Sequence, residues 1–139
     1  MAELRDNHNI VGKLRQAGLR PTRQRKALGD LLFASGHRHV TAESLHEEAL
    51  RAHVPVSLAT VYNTLHQFTA VGLLRAVPVD GSKTYFDTNT SNHHHFYCEN
   101  NTKLIDVPND EMEIVGYPQA PEGMEIVSVD VVVRVREKR

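Results

Sequence analysis

Apolar residues recur at helical spacing through the first half of the chain and at alternate positions in the second. Ile10, Val11, Leu14 and Ala17 share one helical face, and Gly18 is a natural stop. Pro21 disfavours helix at Arg20, and Thr22 can cap a second helix whose stripe is Ala27, Leu28, Leu31 and Leu32, ending at Ser35-Gly36. Thr41 looks like the cap of a third, with Ala42, Leu45, Ala49 and Leu50 at helical spacing. Val54-Pro55-Val56 is an extended link, and Ser57 caps a fourth helix closed by Gly72. Leu58, Val61, Leu65 and Phe68 form its inner face; Thr60, Asn63, Thr64 and Gln67 form the opposite, polar one. Strand-like runs at 73–79 and 83–87 then flank Asp80-Gly81-Ser82, a hairpin turn signal, and Pro78 confines the first run to a sheet edge.

Short helices followed by a hairpin are the pattern of a winged helix-turn-helix, in which the last helix enters the major groove. Thr88-Asn89-Thr90-Ser91-Asn92 is polar throughout and reads as a hinge. Beyond it the period changes to two. Residues 95–98 and 103–107 are strand candidates around Glu99-Asn100-Asn101, 109–115 a short helical turn and 117–123 a loop. Residues 127–135 are the clearest strand, with Val127, Val129, Val131, Val133 and Val135 on one face. A valine-rich face in so small a sheet needs a cover, and a second copy of the chain supplies one, which predicts a homodimer or a higher oligomer. The fold class expected is α+β: an N-terminal winged helix-turn-helix (1–87), a hinge (88–92) and a small α/β dimerisation and effector-binding domain (93–139).

Charge sharpens this division. Residues 1–90 carry 11 Lys and Arg against 8 Asp and Glu, and 91–139 carry 5 against 9. From Arg5 to Lys26 there are seven basic residues and one acid, Asp6. A basic front points to double-stranded DNA as partner. Arg20, Arg23 and Arg25 suit phosphates, and the polar face of the fourth helix suits base edges. No run reaches the ~18–20 apolar residues of a membrane span, and the polar start Met-Ala-Glu-Leu-Arg-Asp lacks the apolar core of a signal peptide, so the cytoplasm is the expected location. The single cysteine, Cys98, excludes a disulfide within the chain and a four-cysteine zinc site.

The remaining chemistry is concentrated in His93-His94-His95, closely followed by Cys98. Imidazole binds zinc, iron, copper and nickel, and iron in haem. In an extended chain His93 and His95 face one way and His94 the other. A small metalloenzyme would need a general base and a pocket by the metal. The chain has no motif such as HExxH, and no enzyme is expected. A metal-buffering protein would have no use for the polar recognition face.

Four ordered motifs carry a resemblance: Arg20-Pro21-Thr22-Arg23-Gln24-Arg25, Thr41-Ala42-Glu43-Ser44-Leu45, Ala59-Thr60-Val61-Tyr62 and His93-x-His95-x-x-Cys98. Over about residues 8–135 the chain resembles the ferric uptake regulator family, which implies a dimeric, metal-responsive transcription factor, mainly a repressor. The resemblance implies DNA contacts from Arg20, Thr22, Arg23, Arg25, Ser57, Thr60, Tyr62 and Asn63. It also implies a regulatory site for Fe²⁺, Mn²⁺ or Zn²⁺ at His39, Asp87, His93 and His95. Of a second family site only His94 and Glu113 have counterparts. The chain departs from most relatives in lacking a CxxC after the His-x-His, and in carrying Asn63 after the tyrosine. With the triple histidine, Tyr62-Asn63-Thr64-Leu65-His66-Gln67 resembles the iron response regulator branch, which implies haem as effector, here bound at His93, His94 and His95 and releasing DNA.

Overall fold

The computed structural model of the chain describes residues 9–80 and 83–139. These form two compact units that divide between Thr90 and Ser91. In the first, helices α1 (Ile10–Gln16), α2 (Arg23–Phe33), α3 (Ala42–Arg51) and α4 (Leu58–Ala70) combine with strands β1 (His39–Val40), β2 (Arg75–Asp80) and β3 (Lys83–Asp87). The strands form an antiparallel sheet in the order β1-β3-β2. This is a winged helix. Pro78 lies on an edge strand, as a residue without a backbone donor should, and the register shifts between Pro78 and Asp80. Gly81 and Ser82 of the expected turn lie outside the described residues.

Local chemistry sets the helix ends. The side chains of Asn9, Thr22, Thr41 and Ser57 accept from the backbone N–H groups of Gly12, Arg25, Ser44 and Thr60, satisfying donors that a helix start leaves over. Thr41 and Ser44 do so reciprocally. Just before two of these caps, Val40 and Val56 are buried with Leu45 and Val61, so that each helix entry is stapled to the core. Helices α1, α3 and α4 end in the same six-to-one and five-to-two bonds, Leu19 to Leu14 and Gly18 to Arg15, Val54 to Ala49 and His53 to Leu50, Leu73 to Phe68 and Gly72 to Thr69. The residues that follow each turn, Leu19, Val54 and Leu73, pack on the core. The turn needs a left-handed residue, and Gly18 and Gly72 supply φ of 84°; on α3 the position is His53, at 58°.

Leu14, Leu28, Leu32, Leu45, Val61, Leu65, Phe68 and Phe86 make the core of this unit. Where α1 crosses α2, a Cβ on Gly29 would stand 2.3 Å from Ile10 Cδ1, so this helix-interior glycine is set by packing. The expected faces of α4 need one correction. Thr64 is buried and Leu58 is 41% exposed, while Val56 of the preceding link belongs to the core.

The second unit is a sheet of order β5-β4-β6, from β4 (His95–Cys98), β5 (Lys103–Asp106) and β6 (Val132–Val135). Strands β4 and β5 form an antiparallel hairpin, and β6 runs parallel to β4. The short turn expected over 109–115 is confined to its start, where Glu111 N–H donates to Pro108 O. One expectation changes. The long valine strand is confined to its last four residues. The register with β4 begins at Val132, with His95 N–H donating to Val131 O just before it, and Val127 is 90% exposed. No described helix is long and apolar enough to cross a membrane.

His53 holds a conformation that costs an L residue roughly 1–2 kcal/mol and glycine little. His53→Gly should therefore raise stability by about 1 kcal/mol, read as a higher thermal midpoint of the helical signal; an unchanged or lower midpoint contradicts the account.

Candidate functional site

Strand register builds a histidine–carboxylate pair in each unit. In the first, β1 aligns His39 directly opposite Asp87 on β3, and β2 brings Arg75 opposite Asp87 from the other side. His39 Nε2 lies 3.1 Å from Asp87 Oδ2, and the Asp87 side chain is only 1% exposed. Its other oxygen accepts from Asn89 N–H at 2.9 Å. Beyond the strand, Arg38 N–H donates to Thr88 Oγ1 and Thr88 N–H to Arg38 O, so the ladder runs one step past the His39–Asp87 pair. Arg38 itself is anchored by Glu48 and by Leu31 O.

In the second unit β4 aligns His95 opposite Asp106 on β5. His93 Nε2 and His95 Nε2 lie 3.4 and 3.5 Å from the same oxygen, Asp106 Oδ1. Both imidazoles are buried, with ring centroids 4.4 Å apart. His93 Nδ1 is 2.7 Å from Ser91 O, a group that can only accept, so Nδ1 carries the proton and Nε2 of the neutral ring presents its lone pair to the carboxylate. In that form a metal ion, like a proton on Nε2, would bridge the ring nitrogen and the carboxylate oxygen. Donors on one ion with bonds of ~2.1 Å stand about 3.0–3.4 Å apart in octahedral or tetrahedral sites. The observed separations of 3.1, 3.4 and 3.5 Å sit at that spacing. Imidazole and carboxylate together suit Zn²⁺, Mn²⁺ or Fe²⁺.

His94 is separate, as its parity requires. Its Nδ1 accepts from Val131 N–H at 3.1 Å. It lines, with His93, Glu113, Met112 and Tyr117, an open pocket of about 330 Å³. Neither His94 nor Glu113 belongs to a cluster of three ligating groups among the described residues. Asp106 is the ligand candidate missed in the sequence. The signal was present: a hairpin turning through residues 99–102 puts 106 opposite 95.

The candidate DNA contacts lie on two helix starts. Arg20, Thr22 and Arg23 are exposed before and at the start of α2; Ser57, Tyr62 and Asn63 are exposed on and before α4, and Thr60 is half-buried. Ser57 Oγ donates to Thr60 Oγ1 at 3.0 Å while capping the helix. The Tyr62 ring packs on His66 with centroids 4.4 Å apart, and His66 meets Phe86 edge-on. Arg25 differs from its neighbours: its guanidinium is directed at Gln67 and Arg20 O.

A winged helix followed by a small sheet, each with a paired histidine and aspartate, defines a candidate metal-binding regulator class. The model of the ferric uptake regulator family matches residues 16–134, and the chain belongs to that family, one of transcription regulators rather than enzymes. The peroxide-responsive repressor of Staphylococcus aureus (strain Mu50) is 40% identical over 97 residues, which are 69% of this chain and 64% of that protein. The chain thus spans under two thirds of the length of this relative. The ferric uptake regulator of Pseudomonas aeruginosa with manganese superposes with a TM-score of 0.72 at 29% identity, covering 94% of this chain and 99% of that one. The Vibrio cholerae ferric uptake regulator shares the fold with a TM-score of 0.71 at 21% identity, over 91% and 98% of the two chains.

Asp106→Asn keeps the shape of the side chain and removes its charge. The expected result is a loss of Zn²⁺ affinity of at least ~10-fold, measured by competition with a chromophoric chelator. Native affinity in the variant would remove Asp106 from the site.

Proposed function

We propose that the chain is a DNA-binding transcription regulator that acts as a dimer and responds to a divalent metal ion, Fe²⁺, Mn²⁺ or Zn²⁺. The observation that carries this reading is the repeated cross-strand pair, His39 with Asp87 and His95 with Asp106. A single ion taking the ligand set that the family resemblance implies, His39, Asp87, His93 and His95, would draw on both the reading head and the dimerisation unit. It would restrict the angle between them and with it the spacing of two recognition helices on DNA.

Dimerisation is supported by the second unit's exposed apolar side chains, Val115, Tyr117, Met124, Ile126 and Val127. Such a patch invites a second copy. DNA reading is supported by the winged helix and the basic start of α2. A DNA-binding regulator works in the cytoplasm.

The test uses untagged full-length protein and a duplex it selects from a random-sequence pool, followed by fluorescence anisotropy. Mn²⁺ or Zn²⁺ should raise affinity for that duplex by about 10-fold or more, EDTA should reverse it, and His93→Ala should lose the response. Metal-independent affinity would refute the metal-responsive reading. A peroxide arm on the metal-loaded protein asks whether it shares the response for which the staphylococcal relative is named.

A haem-responsive reading, in the iron response regulator branch, is supported by the triple histidine, the run from Tyr62 to Gln67, and the pocket beside His94. One contact works against it. With Nδ1 accepting from Val131, neutral His94 holds its proton on Nε2, and iron needs that atom's lone pair. Haem ligation there requires the Val131 bond to break. On the metal reading, haem titrated onto the DNA complex leaves affinity unchanged; release of DNA together with a Soret band that His94→Ala shifts would establish haem instead.

A further inference from the structure

We infer that Arg25 is a positioning residue: it locks the third turn of α4 to the start of α2 and turns Gln67 into a side chain that can only donate to DNA. The inference rests on the DNA-reading role proposed above. Arg25 Nε and Nη2 both donate to Gln67 Oε1, at 3.2 and 3.1 Å, and Nη1 donates to Arg20 O at 2.9 Å. The backbone N–H of Arg25 is held by the Thr22 cap. Most of the guanidinium fork is thus committed to the protein, across 42 residues of sequence. An arginine serving only as a phosphate contact would keep that fork for the ligand.

The consequence for Gln67 is chemical. A glutamine amide can present either its oxygen or its NH₂ group. Here a cationic fork takes the oxygen, and reversing the amide would set N–H groups against N–H groups. The orientation is therefore fixed, and the exposed group left for a ligand is the pair of Nε2 hydrogens. Gln67 is exposed one turn beyond Asn63 on α4. A donor-only amide matches acceptors, guanine O6 and N7 or thymine O4. It cannot make the bidentate adenine pairing, which needs a donor and an acceptor on the same amide.

Lysine at 25 keeps a charge for phosphate but loses the fork, and leucine at 67 removes the acceptor. Binding is measured for a duplex selected by the native protein and for an unrelated duplex, over a range of salt. Arg25→Lys and Gln67→Leu should each weaken the selected duplex about 10-fold, leave the unrelated duplex within about two-fold and leave the salt slope unchanged. The double variant should be no weaker than the worse single one, since both break one interaction. Gln67→Glu keeps a partner for Arg25 but replaces the outward donors by an acceptor. It should retain the native thermal midpoint and lose the native base preference on reselection. The inference is overturned if Arg25→Lys binds like the native protein, if Arg25 and Gln67 losses add, or if both duplexes weaken equally with the salt slope falling by about one, the signature of a phosphate contact. A native protein that selects no duplex at all sinks the DNA-reading role itself, and this inference with it.

Discussion

A buried carboxylate beside an imidazole is the constraint around which the first unit is arranged. The Asp87 side chain is 1% exposed, and an ionised group so placed costs several kcal/mol unless it is paired and hydrogen-bonded. His39, Asn89 N–H and the register with Arg75 supply that environment. Strand β1 is only two residues long, too short to persist on its own ladder, and one of those two residues is the histidine facing Asp87. The same cross-strand logic recurs in the second unit, where two histidines share one oxygen of Asp106. The site chemistry is thus a property of register: a one-residue slip in either sheet would send the histidine to the opposite face.

Helices were legible in the sequence because their ends are local. Thr22, Thr41 and Ser57 cap where spacing predicted, and the glycines at 18 and 72 close where the stripes stop. The hairpins were legible for a similar reason. What failed was whatever depends on distant partners. Alternating valines at 127–135 mark a chain able to form a strand, but β6 lies in register with β4 only over Val132–Val135. Spacing puts Leu58 in the core, yet it is exposed, while Val56 of the preceding link is buried. β1 carries too few residues to show any period. Asp106 became visible only when the hairpin register was followed through, and the Arg25–Gln67 contact joins helices that no local pattern connects.

Parity separates the three consecutive histidines, and their hydrogen bonds then give them different chemistry. His93 donates from Nδ1 to Ser91 O, which leaves Nε2 as a ligand atom; His94 accepts at Nδ1 from Val131, which leaves Nε2 protonated. Adjacent residues of one type therefore present opposite faces of the same ring chemistry. Parity alone places His94 apart from His93 and His95 but does not set the tautomers. The backbone groups around them leave Nε2 of His93 as the atom with a lone pair and commit Nδ1 of His94 to the residue before β6.

The anchoring of the first pair also decides where a change at Asp87 would be felt. Thr88 is bonded at both its N–H and its hydroxyl to Arg38, and Arg38 is held by Glu48 on α3 and by Leu31 O on α2. On its other side Asp87 follows Phe86, whose ring meets His66 and, through it, Tyr62 on α4. One route passes through Thr88 and Arg38, which lie outside the helices and strands, and the other through packed rings. Displacing Asp87 thus requires moving the sheet that carries Phe86 or breaking the Arg38 anchor. The His39–Asp87 pair is thereby joined to α4 through Phe86 and His66, and to α2 and α3 through Arg38.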